Sequence, residues 1–332
     1  LVCRRYGAEY TVTEMVSAKA VTFGDKKTSQ IARIGEDEGP VALQLFGSEP
    51  DVMAKATEMM SGGVPGFVPP IAIQIFGSEP ETMAKASGIL LDFAAQSGIE
   101  PAAIDVNMGC PVPKIFSNGE GAALMRDPEL IYRIVKSTVG ATDLPVTVKL
   151  RAGIDREHIN AVECAKAAEL GGAVAIALHG RTRAELYSGR ADREIIRNVK
   201  KSLHIPLIAN GDITSADEAI DMLRTTGADA LMIGRGAIGN PFLFAEIGSA
   251  LAGSPCTPPT VEERVECALA EIRCAIADKG ERIAIPEARG RIAMYIRSFR
   301  GAAQIRAKVN CAHTYDEVAS ALSLAFTNSH DF

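Results

Sequence analysis

Apolar runs rich in β-branched residues alternate with helical patterns along most of the chain, at a spacing of roughly 30 residues. The runs are almost continuously apolar, which is typical of parallel strands covered on both faces. This alternation predicts βα units around a parallel sheet, so we expect an α/β fold of the TIM (β/α)8 barrel class. The predicted strands are 10–16, 41–46, 71–76, 103–108, 146–150, 174–178, 207–209 and 230–233.

The pattern changes after Phe244, beyond which no further strand is predicted. A proline-rich linker occupies 254–259, and helical periodicity runs from Val261 to the end of the chain. We therefore predict two domains: a barrel over 1–248 and a small all-α domain over 249–332.

One segment of the chain occurs twice. Residues 40–60 and 70–90 are identical at 12 of 21 positions, with an offset of 30. Two copies are too few for a solenoid, which needs about three or more repeats. The duplication indicates either a repeated βα unit or a rearranged gene, and it makes Gln44 and Gln74 two candidates for one role.

The composition is that of an ordinary soluble globular protein: of 332 residues, 47% are hydrophobic and 23% are charged. The net charge of −6 argues against a protein that coats nucleic acid by charge alone, but it allows a local basic patch. No apolar run approaches the ~18 residues that a membrane span requires, so we expect no membrane association. The chain begins at Leu1, inside a predicted helix that extends to Tyr10, and we expect its natural beginning to lie upstream.

The seven cysteines are scattered and include no Cys-x-x-Cys pair. An odd number in a chain of this length favours a reducing compartment over a disulfide framework, so we predict a cytoplasmic protein. Cys267 and Cys274 are seven residues apart on one face of a helical pattern. Core packing explains that spacing better than metal ligation does, and no metal site is predicted.

Cys110 follows a predicted strand directly, at the point where Gly109 allows a turn and Pro111 prevents further ladder pairing. The thiol is therefore expected at the carboxyl end of a strand, where α/β barrels place their chemistry. Lys149 and His179 end two later strands in the same way. Each could instead be an ordinary solvated or core side chain, but together with Cys110 they indicate a site.

The last two strand ends have the composition of a phosphate site. One carries Asn210, Gly211 and Asp212, and the other carries Gly234 and Arg235. Glycines allow the backbone to approach a ligand, and an arginine fork suits phosphate. Because the last loops of a barrel commonly bind phosphate, these residues indicate a phosphorylated planar cofactor such as FMN.

At this point five segments in order resemble the active-site motifs of the tRNA-dihydrouridine synthases, and the likeness runs over nearly the whole chain. The segments are DVNMGCPVPK (105–114), VTVKLR (146–151), LHGRT (178–182), ANGDI (209–213) and MIGRGA (232–237). The resemblance implies an FMN-dependent barrel enzyme that reduces the C5–C6 double bond of a tRNA uridine, with NADPH or NADH as reductant. In that scheme the flavin N5 delivers hydride to C6, and the thiol of Cys110 protonates C5 from the opposite face. A thiol with a pKa of ~8.5 is protonated at neutral pH, as a general acid should be.

The resemblance also implies roles for individual residues. Asn107 would hold the flipped base, and Lys114 and Arg181 lie on loops that could contact flavin or RNA. The flavin contacts would come from Gln74, Lys149, His179, Asn210, Gly211, Asp212, Gly234 and Arg235. We select Gln74 over Gln44 because the second copy of the repeat leads directly into the Cys110 strand.

The target base must be flipped out of its stack to reach the barrel, so contacts to the rest of the folded tRNA must come from elsewhere. We expect them from the helical tail. Residues 281–310 carry seven basic and two acidic side chains. On one continuous helix, Arg289 and Arg300 would share a face. A solvated helix surface is the alternative, but with the family likeness we predict that Arg289, Arg297 and Arg300 contact tRNA. The enzyme is expected to act as a monomer.

One departure from the family pattern keeps two rival readings open. The first barrel strand of the family would lie before Leu1, although the duplicated unit restores the strand count to eight. One rival is an FMN barrel that acts on a free pyrimidine, similar to dihydroorotate dehydrogenase. The other is a truncated barrel that binds tRNA without catalysis. The basic tail argues against the first rival, because an enzyme that acts on a small free pyrimidine needs no RNA-binding surface.

Overall fold

The computed structural model of the chain describes residues 1–25, 28, 40–46, 51–52, 55–56, 71–96 and 101–327. These residues divide into two compact units. The first unit contains Leu1, Glu9–Ile213 and Glu218–Ile233, and the second contains Val2–Ala8, Thr214–Asp217 and Gly234–Phe332.

The first unit is built on a parallel sheet whose strands follow one another in chain order. Each of the later strands pairs with the strand before it, which is the connectivity of a βα barrel. The predicted fold class is therefore confirmed. The strands are β1 (Thr11–Val12), β2 (Val16–Ser17), β3 (Val41–Phe46), β4 (Ile71–Ile75), β5 (Pro101–Asn107), β6 (Val146–Arg151), β7 (Ala175–His179), β8 (Leu207–Asn210) and β9 (Ala230–Met232).

Helices connect these parallel strands, as a parallel sheet requires. Asp127 and Asp192 cap two of them, because their carboxylates accept hydrogen bonds from backbone N–H groups of the first turn. In chain order, the helices up to β9 are α1 (Val2–Arg5), which falls in the second unit, α2 (Ala18–Thr22), α3 (Pro80–Gln96), α4 (Pro113–Ser117), α5 (Pro128–Gly140), α6 (Ala161–Gly171), α7 (Arg193–Ser202) and α8 (Ala216–Thr226), with a 3-10 helix at Gly121–Arg126.

The two copies of the repeat supply adjacent strands. β3 pairs with β4 in parallel, and Val41 lies opposite Ile71 while Gln44 lies opposite Gln74. The register therefore equals the 30-residue offset of the duplication, so equivalent residues of the two copies are neighbours. The remainder of the first copy lies mostly outside the described residues.

Two predicted elements are shorter in the structure than in the sequence pattern. The predicted strand 10–16 is two short strands, both paired with β3, because residues 13–15 leave the ladder between them. The helix predicted from Leu1 to Tyr10 ends at Arg5, since Gly7 adopts a left-handed φ of 96°. The other predicted strands are within two residues of the observed ones.

The second unit is helical around its own apolar core. That core includes Tyr295, Ile305 and Leu322, all nearly inaccessible to solvent. Thr260 begins the longest helix with a capping box, in which its side chain and that of Glu263 exchange hydrogen bonds with each other's backbone N–H. After the 3-10 turn Arg235–Ala237, the helices are α9 (Leu243–Leu251), α10 (Val261–Lys279), α11 (Glu281–Tyr295), α12 (Ala302–Cys311) and α13 (Tyr315–Thr327).

In the part of the chain that the structure describes, none of the helices combines the length and apolar character that crossing a bilayer requires.

Candidate active site

Four polar side chains form a row across one face of the sheet. Gln44, Gln74, Asp105 and Thr147 occupy matching register positions on β3, β4, β5 and β6. Gln44 Nε2 donates to Gln74 Oε1, Gln74 Nε2 donates to Asp105, and Thr147 Oγ1 donates to Asp105 Oδ1 at 2.5 Å. Because each side chain is hydrogen-bonded to its neighbour on the next strand, the row is a continuous hydrogen-bonded chain over four strands.

Asp105 and Thr147 are the members of this row that sequence reasoning did not select, and Asp105 is the ionisable one. Burial raises the pKa of its carboxyl group, while hydrogen bonds from Thr147 and Gln74 and the charge of Lys149 oppose that rise. A signal was available in the strand periodicity, because Asp105 lies two residues before Asn107 and therefore on the same face.

The turn after β5 is held by the side chain of Asn107. Its Oδ1 accepts a hydrogen bond from Gly109 N at 3.0 Å, and its Nδ2 donates to Gln74 Oε1 at 3.0 Å. Asn107 is buried. It therefore links the polar row to the loop that carries Cys110. Among the described residues, one of its amide hydrogens is left for another acceptor.

The Cys110 thiol is buried beside Phe76 and Ile115. Burial raises the pKa of this thiol. A hydrogen bond from the Val112 backbone N–H and the charge of Arg151 lower it, but by less than burial raises it. The sulfur is therefore kept as a neutral S–H. Gly121 packs directly on the residue, since an added Cβ there would lie 2.9 Å from Cys110 Cβ. The position of Cys110 at a strand end, predicted from the sequence, agrees with the end of β5 at Asn107.

Arg151 fixes the same loop from the neighbouring strand, and sequence reasoning did not single it out. Its Nε donates to Gly109 O at 3.0 Å and its Nη1 donates to Thr182 O at 3.0 Å, in a buried position. The arginine thereby joins the loops that follow β5 and β7. A backbone-anchoring arginine has no sequence signature of its own, because any loop carbonyl can be its partner.

Lys149 lies two residues before Arg151, on the same face of β6. Burial, together with repulsion from Arg151, lowers its pKa to about 7, while the charge of Asp105 acts in the opposite direction. Within the described residues its ammonium group makes one hydrogen bond, to Leu150 O at 3.3 Å. Since an ammonium group has three donors, Lys149 retains capacity for a ligand with acceptor oxygens or nitrogens.

His179 ends β7 and lies opposite Arg151 of β6 and Asn210 of β8. Burial lowers its pKa to about 3, and the positive charges of Lys149, Arg151 and Arg181 add to the effect. The ring is therefore neutral at physiological pH. Its Nε2 accepts from Arg181 Nη1 at 3.4 Å, because a guanidinium can only donate, and Nδ1 carries the ring hydrogen.

Arg181 is turned inward rather than toward a ligand. The guanidinium donates to both carboxylate oxygens of Asp212 at 2.7 and 2.8 Å, and to the carbonyl oxygens of Ser188 and Gly189 at 2.9 and 2.8 Å. Its side chain is 2% exposed. The geometry favours a positioning role, in which Arg181 orders the loop after β7; direct contact with flavin or RNA stays a prediction.

Asn210, Gly211 and Asp212 form the turn after β8. Asn210 Nδ2 donates to Met232 O at 2.8 Å, which links this turn to β9. Gly211 has a φ of 130°, and a Cβ there would lie 2.4 Å from Ala191 Cβ and 3.2 Å from His179 Cδ2, so only glycine fits. Asp212 is committed to Arg181 and to Ala191 N, which makes its carboxylate a support for the turn.

The remaining predicted residues lie on loops or in the second unit. Lys114 is exposed on α4, within the first unit. Gly234 and Arg235 are exposed and fall in the second unit, where they begin a 3-10 turn.

The tail arginines do not share one helix face, and that premise of the sequence reasoning was wrong. Helix α11 ends at Tyr295, so Arg297 and Arg300 lie in the following turns while Arg289 lies inside the helix. Arg289 Nη2 donates to Ala312 O at 2.8 Å, whereas Arg297 and Arg300 are exposed. Their contact with tRNA stays a prediction.

The two glutamines of the repeat should differ in their effect on stability. Replacing Gln74 by leucine removes a donor to the buried Asp105 and an acceptor shared by Gln44 and Asn107, so we expect a loss of about 1–3 kcal/mol in the free energy of unfolding. Gln44→Leu removes a single side-chain bond of the row, and we expect about 1 kcal/mol or less. Urea denaturation of both variants measures the difference, and equal losses would contradict the asymmetry.

The predicted strand end at Lys149 was wrong by two residues, since β6 continues to Arg151. A barrel of parallel strands that carries a buried neutral thiol after β5, a lysine of lowered pKa in β6 and a neutral histidine at the end of β7 has the features of a barrel enzyme. Within that class, the family model described as dihydrouridine synthase (Dus) matches residues 1–66 and 68–330, and the chain belongs to this family.

Curated relatives agree with the family match. The chain is 42% identical over 328 residues to the probable tRNA-dihydrouridine synthase 1 of Synechocystis sp., covering 98% of this chain and 82% of the relative. It is 36% identical over 316 residues to tRNA-dihydrouridine synthase B of Pseudomonas aeruginosa, covering 93% and 82% of the two chains. It is 35% identical over 309 residues to a probable tRNA-dihydrouridine synthase of Rickettsia conorii, covering 92% and 82%.

Proposed function

We propose that this protein reduces the C5–C6 double bond of a uridine in tRNA to give dihydrouridine, with Cys110 as the proton donor. The observation that carries the proposal is the buried Cys110 thiol, whose raised pKa keeps a proton on sulfur at the carboxyl end of β5. Membership in the dihydrouridine synthase family and the names of the relatives supply the substrate class.

The residues at the strand ends fit FMN as the cofactor. Lys149 has unused donors and a pKa lowered by burial, and an electron-rich ring beside it would favour its charged form. Gln74 and His179 would contact the ring, and Asn210, Gly211 and Asp212 would bind the ribityl phosphate end. The sequence predicts the same ligand for Gly234 and Arg235 of the second unit. When bound, FMN supplies two-electron chemistry, with NADPH or NADH as the source of the electrons.

The roles of the protein side chains follow from their contacts. Cys110 Sγ gives its proton to C5 of the uracil, and Gly121 and Arg151 hold the loop that presents the thiol. Asn107 orients the base through the amide hydrogen that its bonds to Gln74 and Gly109 leave free. Neutral His179 adds the Nδ1–H donor without adding charge, since its Nε2 accepts from Arg181 Nη1.

The substrate is a base drawn out of folded tRNA, since a stacked base cannot enter a barrel mouth. Lys114 and the tail residues Arg289, Arg297 and Arg300 would contact the RNA, with Arg181 acting through the loop that it orders. We further propose that the enzyme acts in the cytoplasm as a monomer.

The test is direct. The purified protein is examined for flavin absorbance and incubated with unmodified tRNA and NADPH or NADH, and the RNA is analysed by nucleoside mass spectrometry. We expect one uridine to gain two hydrogens. Reduction of a free pyrimidine with no change in tRNA would overturn the proposal in favour of a small-molecule oxidoreductase. A colourless protein that binds tRNA without modifying it would favour a non-catalytic RNA-binding barrel.

A further inference from the structure

The ring of Phe116 is contacted by two arginines. The guanidinium carbon of Arg183 lies 4.1 Å from the ring centroid, and that of Arg126 lies 4.5 Å from it. Both distances are within the range of a cation–π interaction. One aromatic side chain therefore holds two positive charges in place.

The three residues come from two loops beside the candidate site. Phe116 lies on α4 and Arg126 ends the 3-10 helix Gly121–Arg126, so both belong to the segment that follows Cys110. Arg183 lies in the loop after β7, where its backbone N–H donates to Gly153 O at 2.8 Å. Since Ala122 N donates to Cys110 O at 3.1 Å, the cationic pair is anchored to the loop that carries the thiol.

No acidic side chain among the described residues forms an ion pair with Arg126 or Arg183. Glu120 is close in sequence, and burial raises the pKa of its carboxyl group without a contribution from either arginine. The two guanidinium carbons are at most about 9 Å apart, which is near the Debye length of 8–10 Å at physiological salt. They therefore repel each other, and a bound anion would relieve the repulsion.

A donor of Arg183 also lacks an acceptor. In the described part of the chain its Nε is buried without a hydrogen-bond partner. Buried donors are normally paired, and an unpaired one indicates a ligand or solvent partner. Arginine forks match phosphate oxygens in geometry and charge.

We propose that Arg126 and Arg183, held by Phe116, bind phosphates of the RNA strand next to the uridine. This inference rests on the proposed function and adds to it a contact on the barrel itself, separate from the helical tail. Phosphate contacts position a nucleic acid without reading its sequence, so the pair would set the depth at which the base enters. Lys114, exposed on the same helix as Phe116, adds a third charge nearby.

The experiment measures the salt dependence of binding to unmodified tRNA. For R126Q and R183Q, we expect weaker binding and a slope of log K against log salt that falls by about one unit for each charge removed. Arg133→Gln is the matched control, because Arg133 is an exposed arginine on α5 with no contact to Phe116. Its slope should equal that of the wild-type protein.

Substitutions of Phe116 separate orientation from charge. Phe116→Leu keeps both arginines, so we expect several-fold weaker tRNA binding with an unchanged salt slope, and Phe116→Tyr should restore affinity because its ring also binds cations. KM for NADPH should stay at the wild-type value in all these variants.

Three results would overturn the inference. If the wild-type protein modifies tRNA and R126Q and R183Q keep the wild-type slope of log K against log salt, the two arginines do not contact phosphate. The proposed function would then stand without them. A raised KM for NADPH with unchanged tRNA binding would assign the pair to the reductant instead. A wild-type protein that fails to bind tRNA at all would overturn both proposals, and the melting temperatures of the variants show whether each one folds.

Discussion

Replacing Cys110 by alanine is expected to lower the rate of dihydrouridine formation by about 10²–10⁴-fold, the usual contribution of a positioned general acid. The thiol is buried at the end of β5 and carries its proton through neutral pH, and alanine offers no proton at that point. The rate is measured in single turnovers with unmodified tRNA, and the absorbance of bound flavin is recorded for each variant. Flavin content should be unchanged, because Cys110 is not among the proposed flavin contacts.

The control is Cys164→Ala. Cys164 is also buried, but it lies on α6 with its thiol directed to Met125 O at 3.7 Å, so its loss should leave the rate unchanged. If Cys110→Ala forms dihydrouridine at the wild-type rate, Cys110 is not the proton donor, and another group must supply the proton.

The pH profile follows from the same assignment. A general acid must be protonated, and burial raises the pKa of Cys110 above the ordinary thiol value of ~8.5. The rate should therefore hold as pH rises through 8.5 and fall only above it. Because the pKa of Lys149 is about 7, the profile is also measured in Lys149→Arg, whose charge does not titrate in this range. A decline that begins below ~8.5 in that variant too would contradict the neutral-thiol assignment.

The positions of the site residues were predictable because each followed a local rule. Cys110, Lys149, His179 and Asn210 all end apolar runs, and the carboxyl ends of parallel strands meet at one edge. The strand ends could be read within two residues, since Gly109 and Pro111 allow no continuation. The strand order was predictable as well, and in the structure the parallel strands follow one another in chain order.

The hydrogen-bond partners were not predictable, because they depend on register and on loop paths. Gln44 meets Gln74 only because β3 and β4 pair with the 30-residue offset of the repeat. The partners of Arg151 are backbone carbonyls from two loops, which leave no trace in side-chain identity. The error over Arg289 and Arg300 has a similar origin, because a local break after Tyr295 ends the helix that was assumed to continue.

Loss of the Arg181 guanidinium should produce the largest change in stability. Arg181→Met removes the donors of Asp212, Ser188 O and Gly189 O together, and breaking a buried ion pair costs about 3–5 kcal/mol. Asp212 is 31% exposed, so partial hydration of its carboxylate places the expected loss near the lower end, about 3 kcal/mol in the free energy of unfolding. The free energy is measured by urea denaturation.

A variant of Asp212 shows whether the loss in the free energy of unfolding comes from the ion pair. Asp212 has a φ of 51°, a left-handed conformation that asparagine also adopts, so Asp212→Asn removes the charge without straining the turn. If the pair acts as a unit, Arg181→Met and Asp212→Asn should couple by about 0.5–3 kcal/mol in a double-mutant cycle. Lys200→Met, which breaks the more exposed pair with Asp229, is the control and should cost about 1 kcal/mol or less. Additive losses at Arg181 and Asp212 would mean that the arginine stabilises the loop through its carbonyl contacts alone, and the positioning role would then rest on Ser188 and Gly189.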